Sequence, residues 1–383
     1  MKGNTLLRQE SIKKVLFEIR ANGPISKREL QAIMGFSWGN ISSIITNLLD
    51  KKFIVSSGKQ DTASGRKPEE YDINVNDNYI IGIDFNSEGI LAILGDLKGR
   101  IVSKYEVEFR EKTREKAEEL LFSIIDRIIT ENKNKNIFYI ALAMQGAVDI
   151  KNGISVKIGA IDGWCNVPVC EMLEKKFNKK TVMLHDPDCL LYAERFFGKL
   201  SGEDGENALL LRMDHGIGIA AMLENRMYMG SKGRTCEIGE MLIPIGENTE
   251  RFMVRELISE KMLARQYKEI TKTKEDVTAD IIAEKARTGD KTALMLFARI
   301  GEALAIALNN TANLLNPETV VIFGAFRRYA DLFLEDTKGI LKQLMGEKAP
   351  AIKLSDLEIS AAAIGAVLFA ADMFIDDTVF VEL

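Results

Sequence analysis

The chain has 383 residues, of which 46% are hydrophobic and 28% are charged, a balance typical of folded globular proteins. This composition excludes disordered, collagenous and fibrous proteins. At about 150 residues per domain, the length predicts two or three domains. The four cysteines, at positions 165, 170, 189 and 236, form neither a disulfide framework nor a zinc-binding pair, and the first ten residues lack the apolar stretch of a signal peptide. We therefore expect a cytoplasmic protein.

The charge is distributed unevenly along the chain. The net charge is −5 overall, but residues 1–68 hold twelve Lys and Arg against five Asp and Glu, a net charge of +7. The remaining residues therefore carry −12. A basic segment in front of an acidic body indicates that the segment binds a polyanion.

One apolar run bears on membrane association. Residues 359–371 are almost uninterrupted in their apolar character. The run is shorter than the roughly 18 to 20 residues that a membrane-spanning helix needs. We expect a buried helix there and no membrane partner.

Two helices are predicted at the amino terminus. Apolar side chains between Ile12 and Ile19 recur at the spacing of one helix face, and Asn22-Gly23-Pro24 ends that helix. Ser26 and Glu29 have the form of a capping box, in which each side chain bonds a backbone amide of the first turn, so a second helix begins there. Its residues predicted to face inward are Leu30, Ile33 and Met34.

A third helix and a hairpin follow. Gly35 provides a tight turn, and the third helix begins near Ser37. Its predicted buried stripe consists of Ile41, Ile44, Ile45, Leu48 and Leu49. Lys52–Ser56 and Glu70–Asn74 are expected to pair around a loop rich in Gly, Ser and basic residues. Three helices and a basic hairpin predict a winged helix-turn-helix over residues 1–73.

This segment carries the predicted DNA-binding residues. The third helix exposes hydroxyls and amides suited to base edges in a major groove, and the flanking cations suit phosphates. The predicted base-contacting residues are Ser37, Trp38, Asn40, Ser42, Ser43 and Thr46. The predicted phosphate-contacting residues are Lys27, Arg28, Lys51, Lys52, Arg66 and Lys67. Two alternatives stay open: the segment binds protein or only dimerises, and Trp38 either touches a thymine methyl or packs against the second helix.

From Tyr79 onward, strands and helices alternate. The predicted strands are Tyr79–Phe85, Gly89–Asp96, Arg100–Glu108, Ile137–Met144, Thr181–Leu184, Ala208–Met213, Ile217–Leu223 and Thr319–Phe323. One helix is predicted over Glu115–Asn132, and long helices between about 250 and 315. A strand meander followed by helices and buried strands predicts α/β lobes with a cleft between them.

A set of short motifs in this order resembles the ROK family, whose name stands for repressor, open reading frame and kinase. The motifs are Ser64-Gly65-Arg66-Lys67-Pro68, Ile81-Gly82-Ile83-Asp84, Gly163-Trp164-Cys165-Asn166-Val167-Pro168, Asp186 before Ala193-Glu194-Arg195-Phe196-Phe197-Gly198, Gly216-Ile217-Gly218 and Glu237-Ile238-Gly239. The resemblance implies a two-lobed actin-like ATPase (ribonuclease H-like) body, with the winged helix-turn-helix in front as in the family's repressors. We expect lobe 1 at residues 74–184 plus 361–383 and lobe 2 at 185–360.

The resemblance also implies that kinase activity is lost. Phosphoryl transfer depends on donors and cations placed around the triphosphate. Where family kinases have Asp-x-Gly-Gly-Thr, this chain has Asp84-Phe85-Asn86-Ser87-Glu88, and Gly-Thr-Gly-x-Gly is replaced by Asp214-His215-Gly216-Ile217-Gly218. Phe323-Gly324 stands at the family's adenosine-binding Gly-Gly. Asp186 matches the kinase general base and is expected to be a vestigial base, in a protein that is not an enzyme and has no cofactor.

The family's sugar site is retained only in part. By resemblance, Asp186 and Glu237 persist, while His185, Glu240 and Arg255 replace an asparagine, a histidine and a glutamate. Gly146, after the strand Ile137–Met144, completes the predicted effector-binding set. The family's zinc-binding cysteine cluster is absent, so we expect no metal. An inward-facing Arg255 favours an acidic or phosphorylated sugar; the alternative is a dead pocket filled by ion pairs. Trp164 either walls the cleft or lies in the core.

These observations predict a DNA-binding transcriptional repressor of carbohydrate metabolism genes. Its partners are expected to be double-stranded operator DNA and a sugar or sugar-phosphate effector bound between the lobes. Dimeric operators follow from helix-turn-helix geometry, and the family implies a homodimer or homotetramer. Two alternatives remain: an active ROK sugar kinase, and a DNA-binding regulator whose body senses no ligand.

Overall fold

The structure, a computed structural model, describes residues 2–57, 61–62, 65–66, 68–75, 78–201, 205–214, 216–230, 237–245 and 250–380. It divides into two compact units. Unit 1 is built from segments 1–142, 170–182 and 366–383, and unit 2 from segments 143–169 and 183–365. These bounds differ from the predicted ones, because residues 1–73 cluster with the following sheet and residues 143–169 pack within unit 2.

The helices of the described residues have the following bounds. They are α1 (Lys2–Asn22), α2 (Lys27–Met34), α3 (Trp38–Asp50), α4 (Arg114–Glu131), α5 (Val169–Phe177), α6 (Asp186–Phe197), α7 (Val254–Leu257), α8 (Glu260–Thr271), α9 (Ala279–Arg287), α10 (Lys291–Leu315), α11 (Ala330–Met345) and α12 (Ala361–Phe380). Short 3₁₀ helices occupy Ile238–Glu240, Ala325–Tyr329 and Gly346–Lys348.

The strands, over the same described ranges, confirm most of the predicted ones within one or two residues. They are β1 (Ile25–Ser26), β2 (Ile54–Ser56), β3 (Asp61–Thr62), β4 (Gly65–Arg66), β5 (Glu70–Ile73), β6 (Asn78–Phe85), β7 (Gly89–Asp96), β8 (Ile101–Glu108), β9 (Asn136–Met144), β10 (Ala147–Asp149), β11 (Ile154–Lys157), β12 (Cys165–Val167), β13 (Lys180–His185), β14 (Ala208–Met213), β15 (Ile217–Leu223), β16 (Arg226–Met227), β17 (Leu242–Ile245), β18 (Glu250–Met253), β19 (Thr319–Phe323) and β20 (Ala351–Leu354).

Local sequence signals place the first three helices. The Ser26 hydroxyl accepts a hydrogen bond from the Glu29 backbone amide at 3.3 Å. The Glu29 carboxylate in turn accepts one from the Ser26 backbone amide at 2.9 Å, and this pair of bonds confirms the capping box. Gly35 ends α2 in the left-handed conformation, with φ of 64°. The prediction that Ile33 faces inward is wrong: its side chain is 54% exposed, because the short α2 buries only Leu30 fully.

The predicted hairpin is confirmed in the described residues. β2 pairs antiparallel with β5, and β1 adds to the other edge of β5. β3 and β4 pair within the intervening loop. Apolar residues of α1 and α3, among them Ile19 and Ile45, are fully buried beneath this small sheet.

Two buried cations join the three-helix segment to the rest of unit 1. The Arg20 guanidinium donates to the Leu368 carbonyl at 3.2 Å and lies 2.6 Å from the Asp372 carboxylate, both on α12. The Lys98 ammonium, in the turn after β7, donates to the Gly23 carbonyl at 2.9 Å and to the Asp72 carboxylate at 2.8 Å. A charged group is tolerated in the protein interior when hydrogen-bond and ionic partners replace the water that it loses on burial. These contacts explain why residues 1–73 are not a separate compact unit.

Unit 1 is organised around a five-stranded sheet in the order β13-β9-β6-β7-β8. β6, β7 and β8 form the predicted antiparallel meander. β7 is buried along its whole length, whereas β8 alternates between exposed and half-buried positions. This pattern agrees with the interior position of β7 and the edge position of β8 in the strand order.

Unit 2 contains a second five-stranded sheet in the order β16-β15-β14-β19-β20. β14 pairs antiparallel with β15 and parallel with β19, so their ends bring distant segments together. A three-stranded sheet of β10, β11 and β12 pairs within itself, which accounts for residues 143–169 in this unit.

The central helix of unit 2 is α10. By length and composition it is able to cross a membrane, with a mean hydropathy of 1.4, and 56% of that window is buried in the protein. Its buried residues, from Ala293 to Ala312, pack against β14, β19 and α11 side chains in one hydrophobic cluster. This burial is the pattern of a core helix. The predicted buried helix over 359–371 is also present as the first half of α12.

Candidate functional site

A polar cavity of about 470 Å³ lies in unit 2. Its lining residues all belong to that unit, including five between Gln145 and Gly159. The six predicted effector-binding residues all line it, namely His185, Asp186, Glu237, Glu240, Gly146 and Arg255. Its size is in the range of small-molecule sites. The structure therefore brings together residues spread over more than a hundred positions.

Turns at strand ends place these side chains. His185 ends β13 and Asp186 begins α6. Gly146 has φ of +86°, and a Cβ there would lie 2.3 Å from the Lys157 carbonyl oxygen, so the turn after β9 requires glycine. Gly218 in β15 lies against α6, because a Cβ there would be 2.8 Å from Pro187.

Sequence reasoning missed Arg212, which lines the cavity and binds two of its carboxylates. Its guanidinium donates to the Asp186 carboxylate and, at 2.8 Å, to the Asp214 carboxylate. His185 lies 3.3 Å from the other Asp186 oxygen. The available signal was a single arginine in the otherwise apolar strand Ala208–Met213. The carboxylate that would serve as a general base is therefore bound by a guanidinium.

A second ion pair joins two of the predicted residues. Arg255 in α7 forms a salt bridge with Glu240, and the two side chains are 49% and 51% exposed. Arg255 does line the cavity, but the ion pair already occupies its guanidinium with a carboxylate of the same chain. The cavity also includes Lys157 and Gln145, which sequence reasoning did not single out. The arrangement offers donors and acceptors for a polyhydroxyl ligand.

Two segments that resemblance assigns to nucleotide binding bond to each other in unit 2. The Asp214 carboxylate accepts the backbone amide of Ala325, at the start of the 3₁₀ helix after Phe323-Gly324. Phe323 is buried, and the Arg327 guanidinium lies 4.7 Å from its ring centroid. A carboxylate of the chain thus occupies a backbone donor where a nucleotide is expected in the kinases. His215 lies outside the described residues.

The other phosphate turn, in unit 1, is also closed by its own side chains. The Asn86 side-chain oxygen accepts the Glu88 amide at 2.9 Å and the Gly89 amide at 3.2 Å. The Glu88 carboxylate pairs with Lys112 at 2.7 Å. These amides already have an acceptor, and the turn adds a negative charge where a phosphate would need donors.

The open question on Trp164 is resolved in favour of the core. Its ring is buried, and its indole N–H donates to the Ser155 hydroxyl at 2.8 Å. Asp188, one helical turn into α6, was not singled out from sequence. Burial, together with the charge of Asp186, raises the pKa of the Asp188 carboxyl from 3.8 to about 8. Among the described residues, no three His, Cys, Asp or Glu side chains form a metal-binding group.

The predicted DNA-contacting side chains lie mostly on one exposed face. Trp38 is 54% exposed. The other exposed positions of the predicted base-contacting set are Ser37, Asn40, Ser43 and Thr46, and Ser42 is half-buried. Arg28 is exposed, whereas Lys27 is half-buried with its ammonium 5.5 Å from the Tyr71 ring centroid. Lys67 lies outside the described residues, and only the backbone of Arg66 is described.

Comparison with known proteins identifies the body. The sequence profile of the ROK family matches residues 80–373. The chain belongs to the ROK family. It is 24% identical over 363 residues to the xylose repressor of Caldicellulosiruptor bescii, covering 90% of each chain. It is also 24% identical over 320 residues to the DNA-binding transcriptional dual regulator NagC of Escherichia coli, covering 79% of this chain and 77% of that protein. The family resemblance seen in the sequence is confirmed.

Solved ROK structures share the fold. A ROK family transcriptional regulator, a homologue of the E. coli MLC protein, superimposes with a TM-score of 0.79 over 98% of both chains at 19% identity. The ROK hexokinase of Thermus thermophilus gives a TM-score of 0.67 at 23% identity, covering 78% of this chain and 99% of its own. At these identities the similarity shows the mixed α/β fold alone, and both regulators and kinases have it.

Proposed function

We propose that this ROK protein is a sugar-responsive, DNA-binding transcriptional repressor that has lost kinase activity. The observation that carries the proposal is the uncharged polar face of α3, joined in one chain to a ROK body. Relatives named as repressors support it, since the C. bescii xylose repressor aligns over 90% of this chain. The inferred partners are operator DNA and a sugar or sugar-phosphate effector, and the inferred assembly is a homodimer or homotetramer.

The DNA-binding role rests on residues 1–73, which we assign as a winged helix-turn-helix. The capped α2, the left-handed Gly35 and the exposed α3 have the arrangement in which a second helix enters a major groove. The β2–β5 hairpin supplies the wing. Lys52 and Arg28 are exposed cations beside these elements and are suited to phosphates.

The sensing role rests on the cavity of unit 2. Carboxylates, cations and backbone amides face one volume of about 470 Å³. They belong to the six predicted residues and to Arg212 and Lys157. Hydroxyl groups of a sugar both donate and accept, so they match this mixture. Relatives are named xylose repressor and N-acetylglucosamine repressor, and these names support a carbohydrate effector.

The loss of kinase activity rests on the nucleotide segments. Asp214 occupies the Ala325 amide, Asn86 occupies the amides of the first turn, and Asp186 is bound by Arg212. Each feature removes a donor or base that phosphoryl transfer uses. An ATP-consumption assay across a sugar panel should stay flat, and activity abolished by Asp186→Asn would reinstate the kinase alternative.

DNA binding is tested with the full-length protein and promoter fragments by fluorescence anisotropy at several salt concentrations. Arg28→Ala should weaken binding to all fragments and reduce the salt slope by about one. Asn40→Ala should mainly relax base preference, because an amide reads a base edge. Equal effects of both substitutions on specificity would contradict the assignment of α3.

Effector binding is tested by thermal unfolding with neutral, acidic and phosphorylated sugars at millimolar concentration. An effector should raise Tm, because it binds the folded protein and not the unfolded chain. It should also change the affinity for the operator, because it binds one conformation of the folded protein more tightly than the other. Failure of every sugar to shift Tm would favour a regulator with a ligand-blind body. Light scattering measures the oligomeric state in the same samples.

A further inference from the structure

The base-reading face of α3 lacks charged side chains. From Trp38 to Leu49 the sequence has no Lys, Arg, Asp or Glu. In a major groove, guanine is read chiefly by Arg or Lys, and cytosine donates its amino group to Asp or Glu. Over its first three turns α3 therefore has no side chain of either kind for a G·C pair.

Two of the six predicted base-contacting side chains are already engaged within the helix. The Ser37 hydroxyl oxygen accepts a hydrogen bond from the Asn40 backbone amide at 3.3 Å and so caps the helix. The Thr46 hydroxyl donates to the Ser42 carbonyl at 3.0 Å, so its proton is used by the backbone. The exposed side-chain amide of Asn40 is then the main hydrogen-bonding group of the first turn. The side-chain amide of an asparagine pairs bidentately with adenine.

Two exposed apolar side chains precede this amide in the chain. Ile33 near the end of α2 and Trp38 at the start of α3 are each 54% exposed, on either side of the Gly35 turn. The 5-methyl group of thymine is the apolar feature of base edges in the major groove. Arg28 in α2 and Lys52 after α3 are exposed cations of the same segment, and they favour a polyanion over an apolar protein partner.

We infer that α3 reads A·T base pairs, with Trp38 and Ile33 in contact with thymine methyl groups and Asn40 bonded to an adjacent adenine. This inference rests on the proposed DNA-binding function and specifies its partner. The half-site bases beneath α3 are A·T pairs, and specificity there comes from methyl contacts and one amide.

The test begins with selection of a bound site from random duplexes by the full-length protein. Each thymine of the footprint is then replaced singly by deoxyuridine, which removes only the methyl group. Burial of one methyl-sized group is worth about 0.8 kcal/mol, so the wild type should lose about three- to fivefold in affinity at the contacted thymines. Trp38→Ala should weaken binding to the thymine duplex, and the deoxyuridine substitution should then have little additional effect.

Matched variants separate the outcomes. Leu344→Ala removes a side chain of equal exposure on α11 and should leave deoxyuridine sensitivity unchanged. Circular dichroism checks that Trp38→Ala and Ile33→Ala fold. A selected site with G·C pairs under α3, or the same deoxyuridine sensitivity in wild type and Trp38→Ala, would overturn this inference and leave the repressor proposal standing. Retention of no duplex at low salt would overturn both.

Discussion

Two arginines, the buried Arg20 in unit 1 and the half-buried Arg212 in unit 2, are placed differently with respect to solvent. The Arg20 side chain is 1% exposed, and its partners on α12 lie about 350 residues away in sequence. The Arg212 side chain is 17% exposed, and its partners line a cavity. A guanidinium that is shielded from water stabilises the contact between two segments of the fold. One beside a cavity instead positions carboxylates that a ligand can reach. The guanidinium is therefore enclosed by protein in unit 1 and lies beside an open cavity in unit 2.

Removal of the Arg20 partner should have the largest effect on stability. In Asp372→Ala the buried guanidinium loses its carboxylate, and the free energy of unfolding should fall by about 3 kcal/mol. For a chain of 383 residues, that lowers Tm by roughly 4 °C. Denaturation by heat and by urea measures the change. Glu119→Ala removes an exposed ion pair with Lys116 and should cost less than about 0.5 kcal/mol; similar losses in both variants would contradict the contrast.

Arg212→Met should destabilise less and abolish effector binding. Asp186 and Asp214 lose a charged hydrogen-bond donor, which costs about 2 kcal/mol, and water from the cavity limits the penalty. Chemical denaturation and the sugar-induced shift of Tm are the two measurements. Arg265→Met, which removes an exposed pair with Glu269, is the control. A sugar response retained in Arg212→Met would show that this arginine does not organise the cavity.

Asp188 predicts a pH dependence confined to unit 2. Because its folded pKa is raised to about 8, the folded state binds a proton that the unfolded chain releases above pH 3.8. Its contribution to stability is present in full below pH 3.8 and is lost as the pH rises towards 8. Asp188→Asn should therefore be more stable than the wild type at pH 8 and no more stable than it near pH 4. Tm profiles from pH 4 to 9 that run parallel would refute this.

Glu240→Gln should have the smallest effect on folding. The Glu240–Arg255 pair is half-exposed, so its loss should change stability by less than about 0.5 kcal/mol. The freed guanidinium should instead raise the relative affinity for acidic or phosphorylated sugars over neutral ones. Isothermal titration with matched neutral and acidic sugars measures this preference. An unchanged preference would place Arg255 outside the ligand contacts.

Local patterns predicted the elements well. The capping box at Ser26, the alternation of β8 and the apolar runs of β9 and β14 depend on neighbours within a few residues, and the structure has those elements. Ile33 is the exception, because a two-turn helix does not bury every residue on its apolar side. The six cavity residues were found through family resemblance, since their positions are far apart and share no periodicity.

The sequence by itself determined the first four helices, the longer strands, the basic front segment and the altered phosphate motifs. The tertiary structure decided which charges meet. Asp214 reaches the Ala325 amide across 111 residues because β14 and β19 are neighbours, and Arg212 reaches Asp186 because β14 ends beside α6. Such pairs depend on strand order, and short-range sequence patterns carry no information about it. Arg20 and Arg212 look alike in the sequence, and only the fold gives one a structural partner and the other a cavity.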